Sequence, residues 1–223
     1  MFCIILSDMT TTSTRQEDRA IDLLKDRGMV RLSEFLQQDI TAATISRMER
    51  KAAIIQLARG LYQLADAPLD ANHTLAEAAK LVPNGVICLD SALAFHELTD
   101  RIPAAVSMAI RQRDWRPKIE HPKIEIVRFG PKVFDPGIET HVIERVDVRI
   151  YSPAKTIVDM FRHAQRHKVW YGLQTSLTGA VFSMKEALRK RKATPAEIAS
   201  FAVEAGIWEK VVQPRLEVLT VDA

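Results

Sequence analysis

Cysteine, glycine and long apolar runs are all scarce in this sequence of 223 residues. Its two cysteines, Cys3 and Cys88, are too few for a disulfide framework or for a structural zinc site of the usual ligand count. The eight glycines form neither G-x-G-x-x-G nor G-x-x-x-x-G-K-[ST], which excludes a glycine-rich phosphate cradle of either common type. No apolar run approaches the ~20 residues that span a bilayer, and the apolar stretch 2–6 is too short for a signal peptide. We therefore expect a protein of the reducing cytoplasm with no membrane partner.

Positive charge is only slightly in excess, but it is unevenly distributed along the chain. The net charge is +3. Residues 41–64 carry four basic side chains and one acidic side chain. Residues 101–132 carry eight basic and three acidic side chains, and residues 185–192 carry five basic and one acidic. Such clusters are typical of phosphate-binding surfaces and also of ordinary solvated surfaces, so charge alone leaves both interpretations open.

The N-terminal segment 15–66 has the pattern of three helices followed by a β-hairpin. Gly28 ends the first predicted helix, while Ser33 and Thr41 are in position to cap the second and third. The predicted helices are 16–27, 34–38 and 41–53, and the predicted strands are 54–57 and 61–64. This order predicts a winged helix-turn-helix.

The segment 73–220, which follows a proline-bearing linker, predicts a mixed α/β domain. Seven of the ten prolines lie between Pro83 and Pro153, where they separate short β-like runs. The predicted strands are 106–110, 124–129, 139–143 and 146–151. The predicted helices are 73–81, 89–98, 154–163, 170–180, 187–192, 195–205 and 208–219. The predicted fold class is therefore α+β, a winged helix-turn-helix at 15–66 followed by an α/β domain at 73–220 with a small sheet and several helices.

The third predicted helix offers side chains that can read DNA. If Ile45, Met48 and Ala52 are buried, the opposite face has short residues at its front and arginine one turn later. Short residues allow close approach to base edges, and arginine bonds guanine or phosphate. The predicted DNA-binding residues are Thr41, Thr44, Ser46, Arg47, Arg50, Lys51 and, at the tip of the hairpin, Arg59. The alternative is a small helical protein–protein module with solvated charges.

A second basic group lies in a proline-bounded segment between two predicted strands. It consists of Arg111, Arg113, Arg116 and Lys118. A lone winged helix contacts only a short half-site, so we predict that this patch extends the DNA footprint or meets another nucleic acid. A solvated loop is the alternative.

No group of side chains predicts an enzyme, a cofactor or a metal. Three groups resemble fragments of known sites, namely His163 with His167; Asp90, Glu97 and Asp100 near His96; and Asp147 with Lys155. The histidine pair lacks a third ligand, the acidic group fits surface and capping roles, and the last pair lacks the further carboxylates of a restriction-type nuclease.

Three segments resemble the AbiEi family of antitoxins and transcriptional regulators, which belong to type IV toxin–antitoxin systems of phage abortive infection. The segments are 58–64 (ARGLYQL), 87–99 (ICLDSALAFHELT) and 149–161 (RIYSPAKTIVDMF). The resemblance covers about residues 15–219 and implies a winged-helix domain followed by an α/β domain. One departure is Glu97, where the family often has glycine, and there we expect a longer helix.

The resemblance also implies a function. Members repress their own operon by binding repeats in double-stranded DNA upstream of it, and they oppose a nucleotidyltransferase-like toxin without forming a stable complex with it. The C-terminal domain is implied to carry antitoxicity, for which the basic residues Arg189, Lys190 and Arg191 are the predicted surface. No catalytic residue is implied.

Two other functions remain open at this stage. One is a nucleic-acid-processing enzyme, a nuclease or transferase delivered by the winged helix, and this would need acidic groups that converge in a pocket. The other is a ligand-sensing transcription factor, and this would need a large, mostly apolar pocket.

Overall fold

The computed structural model describes residues 3–166 and 177–221, and the side chains of 15–165 and 177–220. In these residues the chain forms ten α-helices and two β-sheets, which confirms the α+β class. It divides into two compact units, Met1–Pro83 with Val142–Asp147 and Asn84–His141 with Val148–Ala223. Within the described ranges, no helix is both long and apolar enough to cross a membrane.

The first unit has four helices and a three-stranded antiparallel sheet of order β1-β3-β2. The helices are α1 (Cys3–Arg27), α2 (Leu32–Gln37), α3 (Ala42–Arg50) and α4 (His73–Leu81), and the strands are β1 (Met29–Arg31), β2 (Ile54–Ala58) and β3 (Leu61–Leu64). The core joins α1, α2, α3 and the sheet through the buried side chains of Ala20, Leu24, Phe35, Ile45, Met48 and Ile54. Helix α1 begins well before the predicted start at residue 16.

Local signals account for most of the element ends in this unit. Gly28 ends α1 with a positive φ of 68°, and its N–H donates to the Leu24 carbonyl at 2.9 Å. The predicted cap at Ser33 is wrong, because α2 begins earlier, with Arg31 as its N-cap residue. There the carboxylate of Glu34 accepts a 2.7 Å hydrogen bond from the Arg31 N–H. Ala52 also departs from prediction, since it lies beyond the end of α3, exposed and with a φ of 53°.

Helix α4 falls in the first unit, whereas the predicted domain bounds assign it to the second. Its buried residues include Ala76 and Ala78, and its Lys80 ammonium pairs with Glu34 of α2 at 2.9 Å. Its N-cap residue is Asn72. The ion pair joins α4 to α2, and α4 also packs against β1, contacts that composition around the linker does not reveal.

The second unit has a five-stranded mixed sheet of order β6-β5-β4-β8-β7, of which only residues 142–147, the end of β7 and the start of β8, are assigned to the first unit. Its strands are β4 (Val86–Ile87), β5 (Val106–Arg111), β6 (Ile124–Phe129), β7 (Ile138–Ile143) and β8 (Val146–Tyr151), and its helices are α5 (Leu89–Phe95), α6 (Pro131–Phe134), α7 (Pro153–Arg166), α8 (Leu177–Arg189), α9 (Pro195–Glu204) and α10 (Gln213–Val221). Strand pairs β5–β6 and β4–β8 are parallel, whereas β4–β5 is antiparallel. The short strand β4 was not predicted. Part of the predicted helix 170–180 lies outside the described residues. A separate helix at 187–192 is wrong, since residues 187–189 end α8 and residues 190–192 form a turn.

Proline lies at the first position of α7 and α9 in this unit. Thr194 caps α9, where its hydroxyl accepts from the Glu197 N–H at 3.2 Å and Pro195 follows. The expected longer helix at Glu97 is wrong, since α5 ends at Phe95. Glu97 has a φ of 56°, the left-handed conformation that glycine adopts without strain.

A buried ionic cluster lies on the core-facing side of α7. Lys155 pairs with Asp159, which also accepts a 3.0 Å hydrogen bond from Arg162. The Lys155 ammonium lies 4.4 Å from the ring centre of Tyr151 and 5.2 Å from that of Phe129. Thus Lys155, a candidate for a nuclease site, is bound within the core, while Asp147 is exposed.

Candidate nucleic-acid interface

The exposed face of helix α3 has small residues at its front and one acidic and one basic residue, Glu49 and Arg50, in its last turn. Ala42, Ala43 and Ser46 are exposed at its front, and Arg50 is exposed one turn later. Thr41 is the N-cap, and its hydroxyl accepts from the Thr44 N–H at 3.3 Å. Ile45 and Met48 are buried as predicted. The geometry leaves the start of the helix open to an approaching surface.

Thr44 does not lie on that face, so its predicted exposure is wrong. Its side chain is buried, and its hydroxyl donates to the side-chain oxygen of Gln16 at 2.6 Å. The same Gln16 oxygen accepts from the Thr41 hydroxyl at 3.2 Å. One glutamine of α1 therefore ties down the first turn of α3, and only the packing of the two helices reveals this contact.

Arg47 and Lys51 are bound by one carboxylate, that of Glu17 in α1. The Arg47 Nε lies 2.7 Å and the Lys51 Nζ 3.0 Å from oxygens of Glu17. Hydrogen bonds from Arg47 and then from Lys51 hold the pKa of Glu17 below its ordinary value. The Arg47 side chain is 35% exposed, that of Lys51 57% and that of Glu17 19%. Both cations therefore border the exposed face of α3 in a state already partly neutralised.

Arg50 and Arg59 are two exposed cations of the first unit that, like Arg15, Lys25 and Arg145, form no ion pair with a described residue. Arg50 is exposed, with its Nε 3.4 Å from the Ser46 carbonyl. Arg59 is exposed in the turn between β2 and β3, where Gly60 takes a positive φ of 72°. Neither forms an ion pair with any residue that the structure describes. Both can meet an anion without first losing a carboxylate partner.

The predicted central patch divides into one bound and three unpaired cations. Arg111 pairs with Asp135 at 2.6 Å, and its guanidinium lies 4.7 Å from the ring centre of Phe134. Arg113, Arg116 and Lys118 are exposed in the connection 112–123, and they make no ion pair within the described part of the chain. Arg111 therefore stabilises the end of β5.

The predicted antitoxicity surface is also partly engaged. Arg189 is exposed and pairs with Glu186 at 2.7 Å, and Arg191 is exposed with a φ of 54°. The Lys190 ammonium donates to the backbone carbonyl of Glu97 at 2.7 Å. Lys190 thus closes the end of α5, leaving Arg189 and Arg191 as the more accessible cations of the three.

The fragments of catalytic sites do not come together. Asp90 lies in the first turn of α5, whereas His96 is the C-cap residue of that helix. His96 is buried against the Tyr151 carbonyl at 2.7 Å, and burial lowers its pKa. Burial also raises the pKa of Asp90 to about 6. His167 lies outside the described residues. Among those described, no three His, Cys, Asp or Glu side chains are placed to hold a metal ion.

A cavity of about 440 Å³ lies between β7, α9 and the start of α7. Two carboxylates line it, those of Glu139 and Glu197. The Glu197 carboxylate accepts from the Thr194 N–H at 2.8 Å, and that of Glu139 lies 3.3 Å from His141. Glu197 is thus committed to capping α9, so the cavity lacks a converging carboxylate pair.

Comparison with known proteins adds one structural likeness. No protein-family model matches this sequence, and no curated protein matches it. The crystal structure of the RV2827C protein from Mycobacterium tuberculosis is similar, with a TM-score of 0.57 at 11% sequence identity. The match covers 93% of this chain and 81% of that one. At this identity the likeness concerns the fold alone, so the chain shares an arrangement of helices and strands with that mycobacterial protein.

Proposed function

We propose that this chain binds double-stranded DNA at its own promoter and represses transcription there. Its first unit acts as a winged helix-turn-helix, in which α3 enters the major groove and the β2–β3 hairpin is the wing. The observation that carries the proposal is the exposed face of α3, where small residues precede the unpaired Arg50. Small side chains let a helix approach base edges, and an arginine one turn later reaches guanine or phosphate.

The order of the elements supports this assignment. Three helices, of which the third carries the exposed face, are followed directly by a hairpin with Arg59 at its tip. Strand β1 pairs with β3 and so joins the hairpin to the helices. A cation at the tip of a wing is positioned to meet the sugar–phosphate backbone, and such contacts fix orientation on the duplex.

We further propose that the second unit is the antitoxin part of a type IV toxin–antitoxin system. This rests on the AbiEi resemblance at 87–99 and 149–161, which fall on α5, β8 and α7 of this unit. In this role the unit opposes a nucleotidyltransferase-like toxin in the cytoplasm, without a stable complex and without catalysis, cofactor or metal. Arg189 and Arg191 are the side chains we assign to antitoxicity.

Binding of labelled promoter DNA, followed by fluorescence anisotropy, tests the repressor. Arg50→Ala should weaken specific binding by ~1–3 kcal/mol and relax the preference at one base pair. Arg59→Ala should weaken binding to all sequences alike and lower the salt slope by ~0.9 for each phosphate that Arg59 neutralises. Lys185→Ala is the matched control, since Lys185 is an exposed cation of the second unit with no ion partner among the described residues. An Arg50→Ala, Arg59→Ala double variant that binds as tightly as this control would refute the assignment.

Growth after co-expression with the toxin, beside a promoter-reporter assay, tests the antitoxin. The Arg50→Ala, Arg59→Ala variant should lose repression and keep protection. Alanine at Arg189 and Arg191 should reduce protection more than repression. If protection falls in step with repression in every variant, the two units do not divide the work and the second assignment fails.

A further inference from the structure

The connection 112–123 between β5 and β6 carries an exposed tryptophan among unpaired cations. Trp115 is 86% exposed. Arg113, Arg116 and Lys118 lie on either side of it in the chain and are exposed as well. Trp115 is the one exposed large apolar side chain of this connection, all of which the structure describes. The connection thus combines one exposed aromatic ring with three cations that no described carboxylate neutralises.

The start of this connection is an ordered turn. The Arg111 N–H donates to the carboxylate of Asp114 at 3.2 Å, and the Asp114 N–H donates back to the Arg111 carbonyl at 3.1 Å. From β6, the Arg128 guanidinium donates to the carbonyls of Gln112 at 2.6 Å and Asp114 at 3.1 Å. The residue before Trp115 is therefore fixed to the sheet, and the ring is presented from a braced position.

We propose that Trp115 is a stacking platform for an unpaired base, and that Arg113, Arg116 and Lys118 hold the adjoining phosphates of a single-stranded nucleic acid. Aromatic side chains in a positively charged groove are the usual means of binding single strands, because every base has a face on which to stack. The bases of a duplex are stacked on one another and offer no such face. This inference concerns a site apart from α3 and does not depend on the proposed repressor function.

A protein partner fits this surface less well. The centres of protein–protein interfaces combine aromatic residues and arginine with neighbouring apolar side chains and are depleted of lysine, whereas Trp115 has Lys118 nearby and is the one exposed large apolar side chain of its connection. Here the exposed ring has cations beside it, and Arg111 next to the turn is already paired with Asp135. The positive charge of Arg113, Arg116 and Lys118 is complementary to the negative charge of a phosphate chain.

The test uses the full-length chain and three labelled probes of about 12 nucleotides, namely oligodeoxythymidylate, oligouridylate and a mixed-sequence duplex. Trp115→Ala should weaken binding to the single strands about 5- to 150-fold and leave duplex binding unchanged. Trp115→Phe should keep most of the affinity because it keeps a ring. Alanine at both Arg113 and Arg116 should lower the single-strand salt slope by about 1.4. The two single-stranded arms separate RNA from DNA as the preferred strand.

Ile102→Ala is the matched control. Ile102 is 96% exposed on another loop of the same unit, beside Arg101, so its removal deletes a large apolar side chain next to an arginine without deleting a ring. It should bind all three probes as the unaltered chain does. Single-strand binding by Trp115→Ala equal to that of this control would overturn the proposal, as would an equal loss on duplex and single strands. A chain that binds neither single-stranded probe would also overturn it and would leave a protein as the partner of Trp115.

Discussion

Glu17 limits non-specific DNA binding if α3 is the recognition helix. Its carboxylate holds Arg47 and Lys51 together, so the three side chains carry a net charge of +1 rather than +2. Glu17→Gln would release both cations toward phosphate. Exposed ion pairs are worth ~0.2–1 kcal/mol each, so two released pairs correspond to a roughly 2- to 30-fold gain in affinity for any duplex. The salt slope should steepen by ~0.9 for each phosphate that a released cation neutralises, and thus by up to about 1.8.

The same substitution should reduce discrimination between sequences. The Arg47 Nε donates to Glu17, and the Arg47 Nη2 donates to the Thr44 hydroxyl at 3.3 Å. These two contacts orient the guanidinium, and a fixed guanidinium reads guanine with less loss of freedom than a mobile one. The ratio of promoter affinity to random-duplex affinity should therefore fall even as both affinities rise.

Anisotropy titrations of promoter and random duplexes across a range of salt concentrations measure both quantities. Asp18→Asn is the matched control, because Asp18 is exposed one residue along α1 and forms no ion pair with a described residue. It removes the same charge without releasing a cation. If Glu17→Gln steepens the salt slope no more than Asp18→Asn does, the carboxylate does not restrain these cations and the reasoning is wrong.

Three further predictions concern stability, each measured by urea unfolding. Burial raises the pKa of Asp90 from 3.8 to about 6, so ionisation of Asp90 destabilises the fold, not at all below pH 3.8 and in full above pH 6. Asp90→Asn should therefore stabilise the chain at pH 7 by up to about 3 kcal/mol and have little effect at pH 4. An equal effect at the two pH values would contradict this. Gly28→Ala should be strongly destabilising, because the added Cβ would lie 1.8 Å from the Glu144 carbonyl oxygen and the backbone at this position has a positive φ. A decrease in the free energy of unfolding below ~1 kcal/mol, the ordinary cost of such a φ, would show that no clash occurs. Lys155→Met should cost ~3–5 kcal/mol by leaving Asp159 short of a buried partner, whereas an unchanged stability would mean that Arg162 alone satisfies it.

Several elements could be predicted because their causes lie within a few residues of each other. Thr41 and Thr194 cap the helices that follow them, since a hydroxyl at the N-cap reaches the backbone N–H three residues later. Gly28 ends a helix and Gly60 turns a hairpin, since both adopt a positive φ without strain. The prolines in the middle of the chain predicted where strands end for an equally local reason, because proline has no N–H to donate to a neighbouring strand.

The contacts that define the candidate sites depend instead on residues far apart in sequence. Glu17 meets Arg47 across 30 positions, and Lys190 meets the Glu97 carbonyl across 93. No local pattern encodes such pairs, because they form only after helices pack and the distance between their faces is set. Residue type and helical spacing were enough to predict that α3 has one buried and one exposed face. Packing decided that Thr44 is buried beneath Gln16. It also decided that Arg47, and not Arg50, is the arginine of α3 with an ion pair among the described residues, because α1 supplies a carboxylate to Arg47 and none to Arg50.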